Sequence, residues 1–436
     1  MKPSKYFYTK INYSAIIFLL FFIINPFYSN AQTKISPYLF GENAWAPNEI
    51  FKVQDQIKKV KYQVIRIGGN GYENSGFVYQ EAIKLINFAR SVGAEPIFQI
   101  PRQLKDNDKA FKAIEYINGK MKENIKLWCI GNEPDHHNQL ASPEEVSNYF
   151  KKISEQIKRY DPKAKVMGFD LASYKPLYLS RLLGGDLDVT GKIPGKDYYY
   201  LDVVTFHGYN FPDISKFEKE VNQLQSTLKG LNKSRPDSQK LKWAITEFNS
   251  HWIVDPKLGE DYMPFNFHNG QLYAQVYDLG MRAGAFTICP WSMLEGGAHR
   301  SGTDLSLFDE EDGKYLPRSN YYHTMLLAQN FRNNYLKHSA NTSDLKIIPM
   351  GDDKGLSIMI LNISKTQSHV YTLAFDDTLK IKSAFSINAN INQTYIDSIG
   401  AETTQMLLFN TKGELIKKWS YNKIQAEAME SPVEEK

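Results

Sequence analysis

Two glutamates each follow a short apolar run of the sequence, at the point where a buried strand would end. Glu133 comes just after residues 127–130, and Glu247 comes just after residues 241–245. Two neighbouring carboxyl groups can cleave a glycosidic bond, because one protonates the leaving oxygen while the other attacks the anomeric carbon as an anion. Either glutamate alone could be a surface residue after a strand, so the pair is what indicates chemistry.

Other polar and aromatic residues lie at the ends of similar apolar runs. Arg66 is in the run at 63–68, His207 and Tyr209 end the run at 201–207, and Trp291 follows the run at 285–290. An arginine beside a carboxylate favours its ionised form, and a flat ring can pack against the apolar face of a sugar. An ion pair inside the core and ordinary aromatic packing are the competing interpretations for these residues.

The elements that must position these side chains are eight strand-like runs separated by amphipathic stretches. The runs lie at residues 38–43, 63–68, 95–100, 126–131, 164–169, 201–207, 241–247 and 285–290. Continuous apolar character is typical of parallel strands buried on both faces. The pattern therefore predicts an α/β fold, a (β/α)8 TIM barrel, whose active site lies at the carboxyl ends of the strands. An open doubly wound sheet is the alternative, but no glycine-rich phosphate loop follows the first strand.

Helix signals support this alternation. Residues 78–92 carry apolar side chains at helical spacing, and Gly93 can end that helix. Ser142 and Glu145 have the spacing of a capping box, with Pro143 at the first helical position. We therefore expect a helix to begin at Pro143.

The sequence divides into four predicted parts. Residues 1–31 have a lysine-containing start, an apolar run and small residues near position 31, which predicts a signal peptide and a secreted or periplasmic protein; an uncleaved membrane anchor is the alternative. Residues 32–328 form the predicted barrel. Residues 329–425 contain short alternating runs typical of a small all-β sandwich, to which 32–37 could add a strand. Residues 426–436 are acidic and are expected to be disordered.

Charge and cysteine content exclude several classes of function. The net charge is +4, and it falls to +1 without residues 1–31, which contain three lysines and no acids. A near-neutral protein lacks the electrostatic footprint of nucleic-acid binding. Cys129 and Cys289 lie on opposite sides of the predicted barrel, so we expect two buried thiols and no disulfide. No Cys/His spacing suggests a structural zinc.

Two motifs resemble those of clan A, a large group of (β/α)8-barrel retaining glycoside hydrolases. Asn-Glu-Pro at 132–134 resembles the clan's acid/base motif after strand four, and Thr-Glu-Phe at 246–248 resembles its nucleophile motif after strand seven. The resemblance covers about residues 38–328. It implies that Glu133 is the general acid/base and that Glu247 is the nucleophile. It also implies that Asn132 contacts the 2-hydroxyl of the sugar.

The same resemblance assigns roles at other strand ends. It implies that Arg66 hydrogen-bonds the nucleophile, that His207 lines the site and that Tyr209 also hydrogen-bonds the nucleophile. Trp291 resembles the platform under the bound sugar. Asn43 and Trp45, after strand one, are further candidates for substrate binding. Candidates for outer subsites are Gln99, Pro101, Arg102, His136, His137, Asn249, His251, Trp252, His299 and Arg300; their histidines and arginines could favour an anionic sugar or could simply be solvated.

These observations predict an enzyme that hydrolyses a polysaccharide or oligosaccharide by double displacement, as an endo-acting enzyme on a β-linked glycan. An exo-acting glycosidase such as an arabinofuranosidase, and a non-catalytic carbohydrate-binding barrel, are the alternatives. A metal-dependent hydrolase using His136, His137 and His207 is a further alternative, but adjacent histidines rarely bind one ion. We expect no cofactor, no metal, no nucleic-acid or membrane partner after signal cleavage, and a monomer.

Two quantities follow from the proposed roles. The carboxyl groups of Glu133 and Glu247 should be about 5–5.5 Å apart, the separation of retaining enzymes. The pKa of Glu133 should be raised by the neighbouring negative charge, while Arg66 should keep Glu247 ionised.

Overall fold

The computed structural model describes residues 32–45, 49–75, 78–102, 107–136, 140–209, 213–295, 299–340, 342–375 and 394–436. The predicted signal peptide at 1–31 and residues 376–393 of the predicted sandwich lie outside these residues. Within the described ranges, no helix has both the length and the apolar character needed to cross a membrane.

Strands and helices alternate through the first two thirds of the chain, and strands dominate the last third. The strands are β1 (Gln32–Lys34), β2 (Gly41–Ala44), β3 (Val64–Ile67), β4 (Glu95–Ile100), β5 (Leu127–Ile130), β6 (Lys165–Leu171), β7 (Val203–Gly208), β8 (Lys242–Phe248), β9 (Phe308–Glu311), β10 (Lys314–Pro317), β11 (Asn334–Leu336), β12 (Leu345–Asp352), β13 (Gly355–Asn362), β14 (His369–Ala374), β15 (Thr394–Ile399), β16 (Thr403–Phe409), β17 (Leu415–Asn422) and β18 (Val433–Glu434). The α-helices are α1 (Gln54–Val60), α2 (Asn70–Ser75), α3 (Tyr79–Ser91), α4 (Asn107–Ile114), α5 (Pro143–Tyr160), α6 (Pro176–Leu182), α7 (Ser215–Leu231), α8 (Phe267–Arg282), α9 (Ser319–Gln329) and α10 (Lys423–Glu427).

The predicted barrel is present. Strands β2 to β8 form one parallel sheet in chain order, and each is followed by at least one helix. The alternative of a doubly wound sheet is wrong, because doubly wound sheets reverse their strand order and this sheet does not. Helix α5 begins as expected: the Ser142 hydroxyl accepts from the Glu145 N–H at 3.2 Å, and the Glu145 carboxylate accepts from the Ser142 N–H at 2.7 Å.

The eighth predicted strand, at 285–290, is less regular than expected. Ile288 forms single bridges to Phe40 on one side and to Ile245 on the other, so it links β8 back to the start of β2 and closes the barrel. The Gly41 N–H donates to the Ile288 carbonyl at 3.0 Å, and the Cys289 N–H donates to the Ile245 carbonyl at 2.9 Å. Pro290 has no N–H to donate to a ladder, but the Trp291 N–H donates to the Phe248 carbonyl at 2.9 Å.

The barrel interior has an apolar lower layer and a polar upper layer. The lower layer is a buried cluster formed by Val64, Ile97, Leu127, Cys129, Met167, Val203, Ala244 and Cys289. Side chains two residues apart on a strand share a face. Arg66, Gln99, Thr205 and Thr246 therefore also point inward, one step nearer the carboxyl ends, and all four are fully buried. Both cysteines are free thiols, as predicted.

The last third of the chain forms a seven-stranded sheet in the order β1-β11-β12-β13-β16-β17-β18, with antiparallel pairings throughout. Strand β1 pairs with β11, which confirms that the segment before the barrel adds a strand to this sheet. The hairpin of β14 and β15 contributes to a separate buried cluster with residues of β12, β13 and β16. The prediction that residues 426–436 are disordered is wrong, because α10 ends at Glu427 and β18 pairs with β17.

Side chains of the barrel helices join the sheet to the barrel. The Gln271 amide donates to the Asn362 carbonyl at 3.1 Å, and His323 Nε2 lies 2.8 Å from the Thr404 hydroxyl. Burial lowers the pKa of His323 to about 4, so this imidazole is neutral. Its Nε2 can hydrogen-bond the Thr404 hydroxyl. Apolar residues of α8, α9, β13 and β16 belong to the same large buried core as the outer side of the barrel.

Candidate active site

The two predicted catalytic glutamates lie together at the carboxyl ends of their strands. Glu133 follows β5 and is 6% exposed, while Glu247 is on β8 and is 5% exposed. One oxygen from each carboxylate and one nitrogen of His207 lie within 4.8 Å of one another. An oxygen of Glu133 therefore lies no more than 4.8 Å from an oxygen of Glu247, which is closer to the retaining separation of about 5–5.5 Å than to the range of about 6.5–9.5 Å found in inverting enzymes.

Backbone strain and two side chains fix Glu133. Its φ of 45° lies in the left-handed region, and its N–H donates to the carbonyl of Asp170 at 2.8 Å. Such a conformation costs free energy and persists only where the surroundings hold it. The carboxylate accepts from the Asn70 amide at 2.7 Å and lies 3.1 Å from Nδ1 of His207. Glu133 therefore has one preferred position before any substrate binds.

The hydrogen bonds predicted from Arg66 and Tyr209 to Glu247 are present. Arg66 Nη1 donates to Glu247 Oε1 at 2.9 Å, and the Tyr209 hydroxyl donates to Glu247 Oε2 at 2.9 Å. Each carboxylate oxygen thus has one strong donor, and the donors come from two other strands of the barrel. This orientation is what a nucleophile needs, because it limits the positions from which the carboxylate can attack.

Arg66 is fully buried and connects several strand ends. Nη1 also donates to Asn43 Oδ1 at 2.8 Å, and Nη2 donates to Asn132 Oδ1 at 2.6 Å and to Asp170 Oδ2 at 2.7 Å. Asn43 and Asn132 therefore reach the site as predicted, and both hold the arginine that holds the nucleophile. A sugar contact for the Asn132 amide stays a prediction, since Nδ2 donates to Asn70 in the unliganded site at 3.0 Å.

The expected raised pKa of Glu133 is wrong, and the ionised state expected of Glu247 stays a prediction. Burial raises the pKa of Glu247, although His207 and Arg66 oppose it. Burial would also raise the pKa of Glu133, but hydrogen bonds from His207 and Asn70 outweigh it and lower that pKa.

His207 is the main cause of the lowered pKa of Glu133. Its Nδ1 lies 3.1 Å from Glu133 Oε1 and 3.5 Å from Glu247 Oε2, so a protonated Nδ1 can donate to either carboxylate. Burial lowers the pKa of His207, but the charge of Glu247 and the hydrogen bond to Glu133 raise it overall. His207 and Glu133 can therefore hydrogen-bond with the proton on either group.

Aromatic residues stand beside the carboxylates. The rings of Trp45 and Trp291 have centroids 6.3 Å apart, and the Trp291 indole donates to Glu295 at 2.8 Å. Gly69 has a φ of 106°, and a Cβ there would lie 2.5 Å from the Trp291 ring. The glycine after β3 is thus required for the ring position. These contacts support the predicted platform, which stays a prediction without a bound sugar.

Several of the residues predicted to form outer subsites pair with acidic residues of the protein. Arg102 Nε lies 3.7 Å from Glu73, and Arg300 makes a two-pronged pair with Asp309 at 3.0 and 2.8 Å. His299 also lies 3.5 Å from Asp309. The two arginines balance protein acids, which counts against a site built for an anionic sugar.

Some of the remaining candidates for outer subsites contact other protein groups, and others are exposed or lie near Glu133. The Asn249 amide donates to the Tyr273 hydroxyl and to the Trp291 carbonyl, at 3.0 and 2.7 Å, and the Gln99 amide donates to Glu73. Trp252 is 53% exposed and stacks on His251, so its ring can meet a ligand. Pro101 is buried. His136 lies near Glu133 and lowers its pKa, while His137 lies outside the described residues.

Glu133, His207 and Glu247 are also a possible set of metal ligands, since one donor atom from each lies within 4.8 Å of the others. The same atoms are engaged by each other and by Arg66, Asn70 and Tyr209. An arginine on a carboxylate disfavours a second cation there, because like charges repel. The donor set therefore fits proton transfer and nucleophilic attack better than metal binding.

Two site residues were not predicted. Asn70 lies directly after the Gly-Gly turn that ends β3, and its amide holds Glu133. Asp170 lies one residue beyond the predicted fifth run and is fully buried among the strand ends. The rule that found the other residues, a polar residue where an apolar run ends, would also have found Asp170.

Comparison with known proteins relates this geometry to other barrels. No family model and no curated protein matches the chain. Among solved structures, an α-L-arabinofuranosidase from Thermotoga maritima has 18% identity and a TM-score of 0.58, covering 90% of this chain and 95% of that one. A family 51 α-L-arabinofuranosidase from Bifidobacterium longum has 12% identity and a TM-score of 0.63, covering 86% and 96%. A bifunctional glucanase-xylanase from a metagenome library has 12% identity and a TM-score of 0.57, covering 80% and 88%. The chain therefore has the fold of these enzymes, a (β/α)8 barrel with an attached β-sheet region, as its resemblance to clan A implied.

Proposed function

We propose that this protein is a retaining glycoside hydrolase that works by double displacement. The observation that carries the proposal is the pair of glutamates within 4.8 Å, one held by Arg66 and Tyr209 and the other by Asn70 and His207. A separation this short leaves no room for a water between the two carboxylates and the sugar, which an inverting enzyme needs. A non-catalytic binding barrel would not require this arrangement.

The two steps follow from the geometry. In the first, Glu247 attacks the anomeric carbon while Glu133 donates its proton to the leaving oxygen, which gives a glycosyl ester on Glu247 and a free alcohol. In the second, Glu133 takes a proton from water as the water attacks the same carbon, which releases Glu247 and the sugar. His207 can stay hydrogen-bonded to Glu133 in both steps, since 3.1 Å separates the two groups.

For substrate specificity, we propose an exo-acting enzyme on neutral pentosides, an α-L-arabinofuranosidase, rather than an endo-acting enzyme on β-glycans. Both glutamates are nearly buried, and the loops after β8 and after residue 290 are joined by the pairing of Val254 with Gly302. Joined loops favour a closed pocket over an open groove. The arabinofuranosidases among the similar structures support this choice, while the glucanase-xylanase supports the endo-acting alternative.

A substrate panel tests this proposal. We expect release of monomeric arabinose from aryl α-L-arabinofuranosides and from arabinan or arabinoxylan, with no shortening of the main chain of linear xylan or β-glucan. Glu247→Gln is the matched control for contaminating activity. Internal cleavage of a linear β-glycan would support the endo-acting alternative, and inactivity on every glycoside tested would count against a hydrolase.

We also propose that residues 1–31 direct export and are removed, leaving a monomeric enzyme outside the cytoplasm. The support is the sequence pattern of three lysines followed by an unbroken apolar run. Expression with the complete N-terminus should yield an exported protein whose first residue is near Gln32, as read by N-terminal sequencing. An exported or membrane-bound protein that retains Met1 would indicate an anchor.

The pH dependence should be bell-shaped. Activity requires ionised Glu247, whose pKa burial raises, so kcat/KM should fall as the pH drops through that value. Activity also requires the proton shared by Glu133 and His207, and the pKa of His207 is raised, so kcat/KM should fall again above neutral pH. Initial rates from pH 4 to 9 measure both limbs. A flat profile with activated and unactivated substrates alike would contradict these roles.

Metal removal should have no effect. If proton transfer and nucleophilic attack are the chemistry, dialysis against a strong chelator should leave kcat and KM unchanged within about twofold. Added zinc should inhibit if it can compete for Glu133 and His207, because it would remove the proton they share. A loss of activity on chelation that zinc or manganese restores would favour a metal-dependent mechanism instead.

A further inference from the structure

We propose that Asp170 is a positioning residue whose buried negative charge balances Arg66 and whose backbone carbonyl holds Glu133, so that one residue orients both halves of the catalytic pair. This inference rests on the proposed function of the two glutamates. Asp170 itself lies beneath them, and its carboxylate contacts protein groups only, so it has no direct role at the sugar.

The first observation is that both carboxylate oxygens of Asp170 accept hydrogen bonds from protein groups. Asp170 is fully buried, and Oδ2 accepts from Arg66 Nη2 at 2.7 Å and from the Cys129 thiol at 2.9 Å. Oδ1 accepts from the Thr246 hydroxyl at 2.6 Å. The donors come from β3, β5 and β8, so a single carboxylate links three strands of the barrel.

The second observation is the backbone. Strand β6 loses register with β7 between Gly168 and Leu171, and Asp170 within this bulge has a φ of 50°. Its N–H donates to the Thr205 hydroxyl at 2.8 Å, and its carbonyl accepts the Glu133 N–H at 2.8 Å. Glu133 is itself left-handed, so two strained residues hold each other. Bulges of this kind often redirect groups next to active sites.

The third observation is the balance of charge. Arg66 is shared by Asp170 and Glu247, at 2.7 and 2.9 Å. If Asp170 were neutral, the whole positive charge of the arginine would act on Glu247 and would make that carboxylate a weaker nucleophile. His207 Nε2 lies 4.0 Å from Asp170 Oδ2 and has no hydrogen-bond partner among the described residues. The same charge therefore also favours the protonated imidazole that serves Glu133.

Asp170 can supply this charge throughout the working range. Burial would raise the pKa of its carboxyl, but Arg66, His207 and hydrogen bonds from Cys129 and Thr205 outweigh burial and lower the pKa to about 2. The titratable groups that interact with Asp170 include Arg66, Cys129, Tyr149, His207 and Cys289, and the Glu133 N–H donates to its carbonyl. Burial raises the pKa of both thiols and of Tyr149, so these three stay neutral.

Asp170→Asn isolates the charge from the packing. The asparagine oxygen can occupy the Oδ2 position and accept from Arg66 and Cys129, while its NH2 group can donate to the Thr246 hydroxyl, which both donates and accepts. Thr246→Val is the matched control, because it removes one hydrogen bond to the same carboxylate and leaves the charge in place. Both variants change the same buried cluster by a few atoms.

The experiment is a titration that needs no substrate. Glutamate labelled with ¹³C at the carboxyl carbon reports Glu133 and Glu247, and the signals are assigned with Glu133→Gln and Glu247→Gln. We expect Asp170→Asn to move both transitions to lower pH, by about one unit, and Thr246→Val to leave them within a few tenths. The kcat/KM profile should move in the same direction, with kcat reduced about tenfold or more.

The outcomes separate the two proposals. Unmoved transitions in folded Asp170→Asn would overturn the role of Asp170, whatever the activity. Moved transitions in a protein that cleaves no glycoside would support the role of Asp170 and contradict the proposed function. If Asp170→Asn does not fold, ¹³C-labelled aspartate in the wild type decides, with Asp170→Glu for assignment: a signal constant from pH 4 to 8 supports the proposal, and a titration within that range overturns it.

Discussion

Replacing Glu247 with alanine should abolish turnover of every glycoside that the wild type cleaves, with a loss in kcat on the order of 10⁵-fold. The carboxylate forms the covalent bond to the sugar in the first step, so a better leaving group cannot compensate for its absence. Arg66 and Tyr209 would still occupy the site, since each has its own strand to hold it. Initial rates on an aryl glycoside and on a natural oligosaccharide should fall together.

The matched control is Glu310→Ala, which removes an exposed glutamate from the β9–β10 hairpin and should leave kcat and KM unchanged. Circular dichroism and thermal melting establish that both variants are folded. Wild-type rates in Glu247→Ala would contradict the assignment. So would azide rescue of Glu247→Ala with retained configuration, because a small anion that replaces a nucleophile must invert the anomeric centre.

Glu133→Ala should show a loss that depends on the leaving group. Natural glycosides need a proton on the departing oxygen, so their kcat/KM should fall by roughly 10³-fold or more. Aryl glycosides with a leaving group of low pKa need no proton, so they should still glycosylate Glu247 at near-normal rates. The second step lacks its base in this variant, and the glycosyl-enzyme should therefore accumulate and give a burst of released phenol.

Azide separates this role from a merely structural one. It attacks without a general base, and the smaller side chain leaves space for it, so added azide should restore turnover of Glu133→Ala and give a glycosyl azide of retained configuration. Glu133→Gln is the control with nearly the same shape and no space for azide, and it should respond less. Equal losses on activated and unactivated substrates, with no response to azide, would remove Glu133 from the acid/base role.

The barrel was predictable because burial on both faces imposes a simple pattern on the sequence. The run at 95–100 matches β4, and a polar residue at the end of such a run identified Arg66, His207, Glu133 and Glu247. The same rule was not applied to Asp170, whose run ended one residue earlier.

Strands β12 and β17, in the last third of the chain, depart from the apolar pattern that made the barrel strands predictable. Strand β12 contains Pro349, which normally argues against a central strand, yet the strand is paired on both sides. Strand β17 has mainly polar and charged residues, and most of them are not buried. Register and pairing in the last third therefore depend on neighbours that the local sequence does not specify.

The sequence predicted which residues form the site more completely than it predicted how protons are distributed among them. The sequence places His207 near both glutamates, but only the positions of its nitrogens show that it shares a proton with Glu133. That contact lowers the pKa of Glu133, opposite to the expected direction. Distances of a few ångströms decide where a proton resides, and they come from tertiary structure.

The most direct test of the central claim is peptide mapping of the covalent intermediate that Glu133→Ala should accumulate. After brief reaction with an aryl glycoside, the protein is quenched in acid, its intact mass is measured, and the peptide that carries the sugar is sequenced by mass spectrometry. Double displacement by the assigned pair predicts one added glycosyl unit, located on Glu247. A sugar attached to any other residue, or turnover of the wild type with inverted configuration, would contradict it.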